Sequence, residues 1–331
     1  MSVPQRNILV FLFFCMGFAS SAVGLRAYEL HRQDVALAAL TAVQDARLRQ
    51  AIEIAKSSLS IPADPLSTDT TPEKTGEAQV PAKPRGLPGV TAQAYIVGNV
   101  ETGEIYLSYN SQQALPVASM SKLVTAFVAT RELPLDKVIE IDKDAADAPP
   151  DKSLLKVGEL FTVSELMKPL LLSSSNVAAE ALVSKIDRNG FLELMSSYAW
   201  EIGMPSTFFA DPSGVSPLNV ASAKDLFALA QYLHGSRPDI LALTRDAYVA
   251  IATTTEHGSH EVTSTHPFVK DPRFIGGKTG RTPQAGDTML TILELGGQPV
   301  AIVVLGSRYE GRAEDTRLLA VKAEELMQKE R

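Results

Sequence analysis

The sequence predicts an α+β domain over residues 91–331: an antiparallel sheet built from both ends of that segment, packed against helices, with a mostly helical middle. Two hairpin patterns and a change of periodicity lead there. Ala92–Val100 and Ile105–Tyr109 are strand-like runs around the turn Glu101-Thr102-Gly103. Thr288–Leu295 and Pro299–Ser307 repeat the arrangement around Gly296-Gly297. Between them the apolar spacing is helical, so the strands of the two ends are left to pair with one another.

Ahead of the domain, Ile8–Leu25 runs for 18 residues without a charge, between Arg6 and Arg26. That length is at the lower limit for a helix crossing a bilayer, and Ser20 and Ala22 also suit signal cleavage. Residues 1–25 read as a membrane anchor or a signal segment, and either one exports the rest of the chain. The expected location is extracytoplasmic, anchored to the cytoplasmic membrane by this N-terminal helix or secreted after cleavage. Residues 26–60 are rich in helix formers and read as a juxtamembrane helical stalk. Leu30, Leu37, Leu40, Val43, Leu48 and Ile52 roughly share one face, so a dimerising coiled coil is the alternative there, and the oligomeric state stays open. Residues 61–90 hold six prolines among Thr, Asp, Glu and Lys and read as an extended, disordered linker.

The net charge of −7 carries no basic stripe, which argues against nucleic acid as a partner. Cys15 is the one cysteine, so no intrachain disulfide forms and no redox compartment is signalled. Inside the domain, Thr162 with Glu165 makes a capping-box pattern before an apolar run, and Ser222 with Asp225 repeats it. Arg312–Gln328 reads as a terminal amphipathic helix. Tyr198 and Trp200 follow helical spacing with Leu194 and are expected to pack inside. His257-Gly258-Ser259-His260, in a Gly/Ser/Thr-rich stretch, is expected to be a solvated loop rather than a metal site.

Three short motifs carry chemistry. Ser119-Met120-Ser121-Lys122 precedes the apolar run Leu123–Val128, which puts Ser119 in the first turn of a helix and Lys122 one turn along the same face. A serine hydroxyl is a poor nucleophile until a base takes its proton. A lysine whose pKa is lowered by burial or nearby positive charge can be that base. Alone, the pattern is weak: Ser153-Leu154-Leu155-Lys156 matches it too, in a polar connection, as a surface accident. Ser174-Ser175-Asn176 lies between Leu170-Leu171-Leu172 and the helical stretch Val177–Ile186. A hydroxyl and a carboxamide on one turn can relay a proton and hold a substrate amide; a serine N-cap is the simpler reading. Lys278-Thr279-Gly280 follows Phe274–Gly277 in a strand and offers a cation, a hydroxyl and close backbone approach. That set suits a terminal carboxylate, with an exposed turn as its simpler reading.

In this order the three match the Ser-x-x-Lys, Ser-x-Asn and Lys-Thr-Gly signature of penicillin-binding proteins and serine β-lactamases. Residues 92–319 resemble, more narrowly, the low-molecular-mass D-alanyl-D-alanine carboxypeptidases and endopeptidases. The matching stretches are Pro116–Leu123, Asp211-Pro212-Ser213-Gly214, Gly277–Thr282, and Val303–Ser307 followed by Arg312 and Asp315. The resemblance implies the penicillin-binding protein/β-lactamase-like transpeptidase fold and a serine peptidase acting on peptidoglycan stem peptides. In it Ser119 attacks the carbonyl between two D-alanines, Lys122 is the general base and Ser174 relays the proton. Asn176 positions the acyl group, Lys278 and Thr279 hold the carboxylate beside Gly280, and the backbone N–H groups of Ser119 and Arg281 hold the oxyanion. No metal or cofactor takes part, and β-lactams are expected inhibitors. The sequence departs from the family pattern at Ser175, where Gly is common, at Val177, where an acidic residue is common, and at Arg281, often His or an aromatic. These departures bear on substrate preference and deacylation.

Carboxypeptidase activity is the expected one, with D,D-endopeptidase cleavage of crosslinks and a catalytically weak wall-binding pseudoenzyme as alternatives. A class A β-lactamase is disfavoured because no Glu-x-x-Leu-Asn pattern lies between Asn176 and Lys278. A Ser-His-Asp hydrolase is disfavoured because no Gly-x-Ser-x-Gly elbow occurs.

Overall fold

The computed structural model describes residues 86–148 and 155–329, together with Ala46, Arg49 and Ile52–Ile54. The anchor or signal segment, most of the stalk and linker, and Ser153 lie outside these residues. The five described stalk residues are helical. Among the described residues no helix is long and apolar enough to cross a membrane.

Strands β1 (Ala94–Asn99) and β2 (Ile105–Tyr109) form the first hairpin, followed by the short β3 (Ala114–Pro116). A single 3-10 turn, Ala118–Met120, leads into α1 (Ser121–Glu132). A two-stranded ribbon of β4 (Val138–Glu140) and β5 (Leu160–Thr162) brackets the short α2 (Lys143–Ala146). Helices α3 (Val163–Lys168), α4 (Asn176–Val183) and α5 (Arg188–Glu201) come next. Strand β6 (Val220–Ser222) returns to pair with β3, ahead of α6 (Ala223–Ser236) and α7 (Pro238–Ala242). A second ribbon, β7 (Tyr248–Ile251) with β8 (His260–Thr263), precedes β9 (Phe274–Thr282), β10 (Gly286–Leu295), β11 (Gln298–Ser307) and α8 (Arg312–Lys329).

The main sheet has the order β2-β1-β11-β10-β9, antiparallel throughout. The two chain ends therefore meet at β1 and β11, as the paired hairpins predict. β11 is central and buried on both faces, which is why it reads as an unbroken apolar run. Val300, Ile302 and Val304 join Leu319, Ala323 and Met327 of α8 in one core. Ala301, Val303 and Leu305 join Phe127 of α1 and Phe227 of α6 in the other. β9 ends the sheet and lies against the 3-10 turn, which brings Lys278–Gly280 beside Ser119.

Local signals set the helix starts. Thr162 and Glu165 exchange both bonds of a capping box at the head of α3, and the Ser222 hydroxyl accepts from the Asp225 N–H at the head of α6. Helix α1 is buried on all sides from Ser121 to Ala129, so it shows no amphipathic stripe.

Two expectations are corrected. His257 and His260 are each only 6 % exposed, not solvated. Phe161 of β5 stacks on His257 with ring centroids 4.2 Å apart, and His260 Nε2 lies 2.9 Å from Glu159 Oε1. Their partners, Phe161 of β5 and Glu159 just ahead of it, lie about a hundred positions upstream, which the local Gly/Ser/Thr composition does not reveal. Tyr198 packs against Phe127, but Trp200 is 57 % exposed. Leu194 and Tyr198 are four apart and share a helix face; a residue two further on does not.

Candidate active site

Three distant segments converge on one amine. Lys122 Nζ lies 3.0 Å from Ser119 Oγ, 2.7 Å from Asn176 Oδ1 and 2.6 Å from the Ser213 carbonyl oxygen. Lys122 is fully buried, and an amine there requires such polar partners. The Ser213 carbonyl is aimed by Asp211, whose carboxylate accepts from the N–H groups of Ser213, Gly214, Val215 and Ser216 and from the Ser213 hydroxyl. Asn219 Nδ2 ties this loop to α1, donating to Ser121 Oγ at 2.9 Å and to the Asp211 carbonyl at 2.7 Å. Asp211-Pro212-Ser213-Gly214 was legible as a matching stretch, but nothing in it announced that a backbone oxygen would face the lysine.

Ahead of α4, Pro169–Ser173 winds a single π-helical turn, after which Ser174 adopts a positive φ of 64°. The two serines then part ways. Ser175 is the N-cap, its hydroxyl accepting from the Ala178 N–H at 2.9 Å. Ser174 turns towards Lys278, whose Nζ donates to Ser174 Oγ at 2.8 Å and to the Thr279 carbonyl at 2.9 Å.

On β9, Thr279 Oγ1 lies 2.8 Å from Thr265 Oγ1, a neighbour no sequence pattern suggested. At Gly280 the backbone approach is close: a Cβ would stand 2.5 Å from Thr288 Oγ1 and 2.9 Å from the Val117 carbonyl oxygen. Arg312 Nη1 donates to the Gly280 carbonyl at 2.7 Å. The Arg281 guanidinium turns to the buried Asp287 carboxylate, Nη2 donating to Oδ2 at 3.0 Å, and stacks 4.3 Å from the Tyr309 ring centroid. Its side chain is thereby engaged away from the motifs.

Ser119, Ser174, Asn176, Thr279, Gly280 and Arg281 all line one cleft of about 470 Å³. The buried amines of Lys122 and Lys278 stand behind its hydroxyls. Of the second Ser-x-x-Lys match, Lys156 is exposed, with its backbone N–H donating to Glu159, and it takes no part in this cleft.

Burial holds the Lys278 amine well below the usual lysine range, and the nearby Lys122 and Arg312 charges push it the same way. His266, packed under β9, is pushed down to about 3, chiefly by burial; the Leu290 carbonyl opposes the shift, and Lys278 and Arg312 add to it. The Phe268 N–H donates to Nδ1 at 3.3 Å, so the ring proton sits on Nε2, 3.1 Å from the Leu290 carbonyl oxygen. This burial makes stability depend on pH. Between pH 6.5 and about 3 the unfolded chain binds a proton at His266 that the folded chain refuses. Stability contributed by the neutral ring is thus complete above pH 6.5 and is lost on acidification, about 5 kcal/mol in full. Urea midpoints of wild type and His266→Asn across this range check it: the variant should start lower at pH 7 and fall less steeply. Parallel slopes would remove His266 from the account.

A family model described as D-alanyl-D-alanine carboxypeptidase, peptidase family S11, matches residues 78–309. The chain belongs to this family. Within curated relatives, it is 28 % identical over 266 residues to a D-alanyl-D-alanine endopeptidase of Pseudomonas aeruginosa, covering 74 % of this chain and 82 % of the relative. It is 26 % identical over 237 residues to the D-alanyl-D-alanine carboxypeptidase DacC of Escherichia coli, covering 67 % of this chain and 58 % of that one. Among solved structures, penicillin-binding protein D2 of Listeria monocytogenes in a cefotaxime-bound form aligns at a TM-score of 0.64 and 30 % identity, over 72 % of this chain and 99 % of that one. The penicillin-binding fold expected from the ordered motifs is the fold observed.

Proposed function

We propose that this D-alanyl-D-alanine carboxypeptidase family member removes the terminal D-alanine of peptidoglycan stem peptides through an acyl-enzyme on Ser119. The observation that carries the reading is the Ser119 hydroxyl 3.0 Å from the buried Lys122 amine, in the same cleft as Ser174 and Thr279. Lys122 takes the Ser119 proton as the oxygen attacks the carbonyl. The oxyanion that forms is held by the backbone N–H groups of Ser119 and Arg281. Asn176, with its carboxamide oxygen turned to Lys122, presents its nitrogen to the acyl carbonyl. Ser174, hydrogen-bonded to Lys278, relays to the leaving amine the proton that Lys122 took, which leaves Ser174 and Lys122 as they began. Thr279 and the Lys278 amine hold the terminal carboxylate. Water then attacks the ester and frees the shortened peptide. A β-lactam enters by the same attack, but its leaving amine stays tethered.

Endopeptidase cleavage is the second reading, because the relative from P. aeruginosa carries that activity in its name and is matched over more of its length than DacC. Digesting crosslinked and uncrosslinked muropeptides with the purified domain, and reading products by mass, separates the two. Loss of one alanine from free pentapeptides is the expected product; monomers released from dimers identify the endopeptidase. Neither product, with no covalent label from a fluorescent penicillin, would favour the wall-binding pseudoenzyme.

The 18-residue uncharged N-terminal stretch supports the further proposal that the domain works outside the cytoplasm, tethered to the membrane. Recovery of the full chain in a salt-washed membrane fraction is expected; recovery in the soluble periplasmic or culture fraction marks signal cleavage instead.

A further inference from the structure

Thr279 owes its hydrogen-bonding partner to a residue outside the three motifs. Thr265 lies just past β8 and lines the cleft with Ser174 and Thr279. Its backbone N–H donates to the Leu172 carbonyl at 2.9 Å, and its hydroxyl lies 3.2 Å from that same oxygen and 2.8 Å from Thr279 Oγ1. Behind it, the β7–β8 ribbon is held by His260 against Glu159 and by His257 against Phe161.

A hydroxyl has one hydrogen to give. A carboxylate only accepts, so Thr279 serves it only by donating. The hydrogen shared by the Thr265–Thr279 pair must then come from Thr265. When Thr265 makes that bond, the Leu172 carbonyl loses its hydroxyl donor but keeps the backbone N–H of Thr265, so no buried acceptor is orphaned. We infer that Thr265 is a positioning residue that sets Thr279 as a donor, and so makes the site select a free terminal carboxylate over a terminal carboxamide, which can itself donate. The inference rests on the proposed peptidase activity and assigns its preference for the terminus to a residue pair.

The test uses a soluble acylated D-alanyl-D-alanine peptide and the same peptide ending in a carboxamide. Thr265→Val keeps shape and the backbone bond to Leu172 while deleting the hydroxyl; Thr265→Ser restores it. Removing a hydrogen bond that supports recognition of a charged group corresponds to a loss of roughly 10- to 100-fold. Thr265→Val should lose about that factor in kcat/KM on the carboxylate peptide and less than about 3-fold on the carboxamide, with Thr265→Ser near wild type. Thr279→Val should lower the same selectivity, and the double variant should be little worse than either single one. Equal losses on both substrates, or additive losses in the double variant, overturn the inference. If Thr265→Val does not fold, Thr265→Ala carries the same comparison. Wild-type protein that hydrolyses neither peptide overturns the peptidase reading itself, and this inference with it.

Discussion

Replacing Ser119 with alanine is expected to abolish covalent labelling by a fluorescent penicillin and to reduce turnover of a D-alanyl-D-alanine peptide by at least about 10⁴-fold. The fold should stay intact, with a thermal midpoint within about 3 °C of wild type. The asymmetry between activity and stability comes from the partners of Lys122. Its amine keeps the Asn176 carboxamide oxygen and the Ser213 carbonyl oxygen when the Ser119 hydroxyl goes, so no buried amine is orphaned. Lys122→Met is the instructive contrast, because it removes the base and also strips a donor from two oxygens that face it. It should therefore lose labelling and stability together. Ser153→Ala should label like wild type, since its motif partner Lys156 takes no part in the cleft. If labelling survived in Ser119→Ala and vanished in Ser153→Ala, the nucleophile would have been assigned to the wrong Ser-x-x-Lys.

Much of this arrangement could be read from the chain, and the reasons differ by element. The sheet was legible because its signals are local: a turn flanked by strand-like runs at each end of the domain. The site was legible because three motifs, each weak alone, occur in one order. The serine pair shows the limit of such reading. An N-cap and a hydroxyl facing Lys278 compete as interpretations of one motif, and the structure gives the cap to Ser175 and the second role to Ser174, whose positive φ turns it out of the helix. What stayed hidden was set by contacts across long stretches of chain. The Ser213 carbonyl under Lys122 is 91 positions away in sequence. Glu159 of the His260 pair is 101 positions away. Thr265 has no unusual neighbour in sequence, and no sequence pattern pairs the Arg281 side chain with Asp287. Periodicity and composition carry no information about such partners.

Gly214→Ala is expected to damage both stability and chemistry, although its side chain would be a single methyl group. Gly214 has φ of +82°, where an L-residue is strained, and a Cβ there would stand 1.9 Å from the Ala118 carbonyl oxygen and 2.9 Å from the Ser119 nitrogen. These are backbone atoms of the turn that carries the nucleophile, and Ala118 already holds a positive φ of 50°. Relief must come from one of two places. Either the loop held by the Asp211 carboxylate gives up its bonds, including the one at the Gly214 N–H, and the Ser213 carbonyl leaves Lys122; or the turn moves and takes Ser119 away from Lys122. Both routes cost about 3 kcal/mol or more in stability. Both also displace the reacting hydroxyl by a distance to which attack is sensitive, so the second-order labelling rate should fall at least about 100-fold. Gly235→Ala, in α6 with nothing within 4 Å of its added methyl, is the control. Removing a helical glycine there should leave labelling unchanged and raise stability by about 0.5–1 kcal/mol. Urea midpoints and labelling rates measured side by side decide the matter. Two alanine variants that behave alike would mean that Gly214 does not hold the 118–119 turn in place.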